Sequence, residues 1–194
     1  MDFFVYNRDD FCGVDLANDE IKFSSEPFAL LFRRARDAGM NVTIHAGEVD
    51  AERGADRVRY AAEELGAKRV GYGVMAANDE RVLQLLRERN VLLEVCPTSN
   101  WLCRSVESYD VHPMRKILDA GVACAFGTDD PGLFGTGQGD EPEQNITLNK
   151  EYELVSGRLG ITRDELMLCN ERAVAASFLP ADERRRVWKG SDVK

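Results

Sequence analysis

Two short segments bring together side chains that bind metals and move protons. In TIHAGE (Thr43 to Glu48) a β-branched run ends in His45, and Ala46 and Gly47 separate its imidazole from the carboxylate of Glu48. Imidazole binds zinc and a carboxylate shuttles protons, so this pair at one rim suits metal-assisted or acid–base chemistry. The plainer alternative has His45 bonded to nearby backbone and Glu48 capping the next helix. In GTDDPGLFGT (Gly127 to Thr136), Asp129 and Asp130 stand side by side between Thr128 and Pro131. Neighbouring carboxylates repel unless a cation or hydrogen-bond donors compensate them, which favours a metal or a substrate amine. An Asp-Pro turn in which Asp130 caps a short helix accounts for the same residues.

Weaker signals accompany these. EVCPTSN (Glu94 to Asn100) supplies Ser99 and Asn100, short groups suited to orienting a substrate, in a pattern that any strand followed by a Pro turn shares. Asp15, Asp19 and Glu20 cluster in VDLANDE. His112 stands before Pro113, where a local role at a helix start is expected. Trp101 and Phe134 suit a pocket wall or ordinary packing.

The surrounding sequence alternates short apolar, β-branched runs with longer segments of helical periodicity. Strands are predicted at Cys12 to Leu16, Asn41 to His45, Arg69 to Tyr72, Val91 to Val95 and Val122 to Phe126. Amphipathic helices are predicted from Pro27, Ala55, Asp79 and His112, with Gly39, Gly66 and Gly121 as stops. The Gly/Pro-rich stretch from Asp130 to Asn145 reads as a loop. Thr162 followed by Glu165 then marks a capped helix in a helical tail. Strands joined by single helices imply a parallel sheet with its chemistry at the C-terminal strand ends. The fold class is therefore α/β, and about five units are too few to close an eight-stranded (β/α)8 TIM barrel. A single domain over 1–194 is expected, with barrel strands and crossover helices over 12–136 and C-terminal helices over 146–194.

With 25 Lys plus Arg against 34 Asp plus Glu, the net charge is -9, which argues against nucleic acid and anionic membranes as partners. Five cysteines without a CxxC pair fit reduced thiols packed as small core residues in the cytoplasm. The opening MDFFVYNRDD places charge where a signal peptide needs apolar residues.

Taken in order, VDLANDE, TIHAGE, RVGYG, EVCPTSN, HPMRKILDAGV and GTDDPGLFGT resemble the later strands of the adenosine deaminase family. The similarity runs from about Cys12 to Thr136 and, more loosely, through EYEL at Glu151 into the C-terminal helices. It implies an incomplete TIM-type barrel, Zn2+ as cofactor, and hydrolytic deamination of adenosine or a related adenine compound. Position by position, His45 and Asp129 match zinc ligands, Glu48 matches the proton donor to the purine ring, and Asp130 matches a group that bonds the base. Asp15, Asn18, Asp19 and Ser99 fall among the substrate-facing positions. Three departures stand out. The family's His-x-His pair has no counterpart, since the chain holds only two histidines. Tyr72 takes the place of the histidine that orients or deprotonates metal-bound water, and a phenol of pKa near 10 is a poor base. Asn18 replaces a glycine where backbone approaches the purine. With His45 and Asp129 alone, zinc is expected to be weakly held or absent in this chain by itself. A homo-oligomer or a complementing N-terminal half would complete the site; the alternatives are a purine-binding module or an inactive truncated homologue.

Overall fold

Apolar residues at every second position of Asn41–Ala46 put Val42, Ile44 and Ala46 on a buried face and leave Asn41, Thr43 and His45 half-buried on the other. This is the second strand of the computed structural model, which describes residues 1–17, 19–134 and 146–188. The strands β1 (Gly13–Val14), β2 (Asn41–Ala46), β3 (Arg69–Tyr72), β4 (Leu92–Val95) and β5 (Ala123–Phe126) form one sheet in chain order, each pairing its neighbour in parallel. Among the described residues β1 and β5 each pair on one side only, so the sheet is open, as expected for an incomplete barrel.

Helix α1 (Asp2–Tyr6) precedes β1, and α2 (Ala29–Asp37), α3 (Gly54–Tyr60) and α4 (Glu80–Glu88) lie between successive strands. Helices α5 (Pro97–Leu102) and α6 (Met114–Asp119) join β4 to β5; α7 (Pro131–Phe134) follows β5, and α8 (Leu148–Leu159), α9 (Arg163–Ala176) and α10 (Ala181–Val187) make the C-terminal part. Val82, Leu83 and Leu86 of α4 and Phe32 and Ala35 of α2 meet Val42, Ile44, Val70 and Leu93 in one core. Helices α8 and α9 pack on β5. Thr162 and Glu165 form the predicted capping box of α9.

Three expectations need correction. The first strand is two residues long rather than Cys12 to Leu16, because the Asp15 carboxylate takes the Leu16 N–H at 2.7 Å and withdraws it from the ladder. Beyond Glu94 the chain forms helix α5 instead of a plain Pro turn. Pro97 supplies a preset first turn, and the buried Glu151 carboxylate accepts the Thr98 N–H at 3.1 Å. In the segment read as a loop from Asp130, residues 131–134 are helical, with Leu133 and Phe134 donating to the Asp130 carbonyl, as the Asp-Pro turn reading allowed. The rest of that segment, Asn18 and the last residues of the tail lie outside the described residues. Among the described residues no helix is long and apolar enough to cross a membrane.

Candidate active-site rim

The ends of β2, β3 and β4 and the turn after β5 bring His45, Tyr72, Ser99 and Asp129 into one chain of contacts. Gly71 lies opposite His45 in the sheet, and a Cβ there would come within 2.8 Å of the imidazole Cδ2. Glycine at 71 therefore makes room for the ring. His45 Nε2 lies 3.5 Å from Asp15 Oδ2, and its ring meets the Tyr72 ring edge-on at 5.2 Å. Strand β3 ends in the left-handed Tyr72 at φ 66, and Gly73 follows it at φ 69. For a tyrosine that conformation costs about 1 kcal/mol or more, held here by surrounding contacts.

The Tyr72 hydroxyl donates to Asp129 Oδ2 at 3.1 Å, and the Ser99 hydroxyl donates to the same oxygen at 2.7 Å. Asp129 is itself left-handed, at φ 56. Burial first, then the Glu48 and Asp129 charges, pushes the Tyr72 phenol far above its ordinary range, so it acts as a donor and not as a base. Burial and Asp129 likewise push the Cys96 thiol up to about 12, leaving it protonated and unreactive.

Glu48 is half-buried, and its pKa is raised to about 7 by desolvation first, then by Asp129 and Glu20. A carboxyl group that keeps a proton near neutral pH can act as a general acid. Its backbone is fixed by Glu20, whose carboxylate accepts the N–H groups of Gly47, Glu48, Val49 and Asp50.

The remaining candidates are spread out. Asp15 and Asp130 are exposed at the rim. Asp19 is exposed and pairs with Lys22 at 2.8 Å, a surface contact that holds its carboxyl below the usual range. His112 is buried and local: its Nδ1 accepts the Met114 N–H, so Nε2 carries the proton toward Asn100 Oδ1, and burial lowers its pKa to about 4. Two functional features were not foreseen. Nothing in VDLANDE told Glu20 from Asp19, although the longer Glu20 is the one that turns inward. Glu151, 1% exposed beneath α5, sits in a segment with no polar periodicity to mark it.

The fit of a metal can be judged from these donors. Among the described residues no group of three or more His, Cys, Asp or Glu side chains is placed to hold an ion. His45 and Asp129 both border Tyr72, yet His45 Nε2 faces Asp15 and Asp129 Oδ2 already receives two hydroxyls. Structural and catalytic zinc sites use at least three protein ligands. The described residues do not make a zinc site.

A family model described as adenosine deaminase matches residues 2–192. The chain belongs to the adenosine deaminase family. It is 35% identical over 182 residues to an adenosine deaminase from Shewanella denitrificans, covering 94% of this chain and 51% of that protein. A Plasmodium knowlesi adenosine deaminase is 32% identical over 188 residues, covering 97% of this chain and 48% of the relative. The chain thus spans about half the length of the curated relatives it matches. The adenine deaminase of Arthrobacter aurescens shares the fold at TM-score 0.80 and 24% identity, covering 96% of this chain and 53% of that one. A zinc-bound amidohydrolase from Burkholderia ambifaria superposes at TM-score 0.80 and 25% identity, over 96% of this chain and 50% of the neighbour. Membership places the chain in a hydrolase family whose zinc-bound neighbour carries the metal that the donors described here do not hold.

Proposed function

We propose that this chain carries the purine-facing half of an adenosine-deaminase-type centre, where adenosine or a related adenine compound is met by Glu48, Asp129, Asp130 and Ser99. The observation that carries this reading is Glu48: a half-buried carboxyl group at a C-terminal strand end, holding its proton up to about pH 7 beside Asp129. A neutral carboxyl can donate to a ring nitrogen and so neutralise charge that builds there when water adds to the adjacent carbon. The exposed Asp130 can accept from the base, and Asp129, held by Tyr72 and Ser99, keeps acceptor capacity on its other oxygen.

Activation of water is the part these residues do not supply. The missing donors would come from another polypeptide or a second copy, and zinc would be held only in that assembly. Calorimetric titration with adenosine and inosine tests the reading. Saturable heat whose affinity falls about tenfold, without vanishing, in Glu48→Gln is expected, and absence of heat from both ligands would remove it.

A second reading, an inactive homologue that binds purine without turnover, is favoured by Tyr72. Its hydroxyl engages Asp129, a position matched to a zinc ligand. The two readings separate on whether a complementing half restores ammonia release.

A further inference from the structure

Glu20 is 7% exposed, and its two oxygens are filled by one stretch of backbone. Oε2 accepts the Gly47 N–H at 2.7 Å, while Oε1 accepts those of Glu48, Val49 and Asp50 at 2.9, 2.8 and 3.1 Å. Successive N–H groups converging on one point make an anion-binding concavity, here occupied by the chain's own carboxylate. Such charge-assisted bonds are about twice as strong as neutral ones.

Two further features show that the turn is built around this contact. Gly47 adopts φ 67, and a Cβ on it would lie 2.4 Å from Val58 Cγ2, so only glycine lets the turn close onto α3. At the other end Asp50 accepts the Arg53 N–H at 3.0 Å and Arg57 Nε at 3.0 Å, tying the turn to the α3 start. The Glu48 side chain takes no part in either anchor. The backbone that carries it is fixed on both sides.

We propose that Glu20 is the positioning residue for Glu48: by gathering the amides of 47–50 it aims the Glu48 carboxyl at the rim beside Asp129, where a purine ring nitrogen would meet it. The final step rests on the function proposed above; the gathering of the amides does not. Glu20→Gln keeps the shape but turns one acceptor into an NH2 group facing N–H donors. Glu20→Asp keeps the charge and shortens the reach.

The test uses the full chain and two readouts. Amide hydrogen exchange should quicken by about tenfold or more at residues 47–50 in Glu20→Gln, with Ile44 and Val70 unchanged and Glu20→Asp intermediate, as expected for local opening. Adenosine affinity should fall about tenfold in Glu20→Gln yet fall no further when Glu20→Gln is added to Glu48→Gln, because coupled residues are not additive. Additive losses would mean a merely structural role and would overturn the proposal. So would unchanged exchange at 47–50. If the wild-type chain binds no adenosine, the functional reading fails and the exchange result alone decides the clamp. Should Glu20→Gln fail to fold, Glu20→Asp is measured by the same criteria.

Discussion

Removing the Tyr72 hydroxyl probes the contact that most distinguishes this rim. Tyr72→Phe keeps the ring against His45 and deletes only the donor 3.1 Å from Asp129 Oδ2. A hydrogen bond to a charged acceptor contributes about 1.5–3 kcal/mol, and half-exposed Asp129 can recover part of that from water. The net loss is therefore set at about 1–2 kcal/mol, or roughly 2–8 °C in Tm for a chain of this size. Urea unfolding at pH 8 in chelator, followed by circular dichroism, reads it directly, with an unchanged m-value expected. Ser99→Ala removes the other donor to the same oxygen, at 2.7 Å, and should cost a similar amount. The double variant should lose more than the sum, because Asp129 is then left without either hydroxyl. A Tyr72→Phe chain as stable as wild type would refute the assignment of Tyr72 as the group that holds Asp129 in place of a cation.

Three further outcomes follow from neighbouring groups. Glu48 has a folded pKa raised from 4.5 to about 7, so between those values the folded chain binds more protons than the unfolded one. Its contribution is most favourable below about pH 4.5 and is lost as pH rises toward 7; Glu48→Gln should be more stable than wild type at pH 8 and no more stable at pH 4, by urea unfolding across pH. Glu151 is buried, with its pKa raised chiefly by desolvation and Oε1 unpartnered, so Glu151→Gln should equal or exceed wild-type stability at pH 8. Glu151→Ala, which strips the Thr98 N–H of its acceptor, should cost about 1–3 kcal/mol in the same assay. Gly71→Ala would press a methyl to 2.8 Å of the His45 ring and should destabilise by about 1–3 kcal/mol, with the His45 ring resonances displaced in NMR spectra.

Much of the architecture was legible because it depends on local periodicity. The alternation in NVTIH and the apolar stripe of Asp79–Glu88 each have one stable solution, and the strand ends then had to collect His45, Glu48 and Asp129. What escaped depends on contacts distant in sequence. Whether EVCPTSN turns or forms a helix is decided by Glu151, more than fifty residues later, whose carboxylate caps Thr98. The first strand is shorter than its apolar run implies because the Asp15 carboxylate competes for the Leu16 N–H, a local bond that strand periodicity does not mark. In the site, the sequence identified Tyr72 as a departure but not its bond to Asp129, since donor direction depends on the left-handed end of β3. Glu20 and Asp19 are adjacent acids with opposite fates, clamp and surface pair, and composition cannot separate them.

The central claim is that this rim can receive a purine but cannot by itself activate water. It is tested most directly by measuring ammonia release from adenosine by the purified chain supplied with one equivalent of Zn2+. No release above the protein-free rate is expected; turnover proportional to chain concentration would contradict the account.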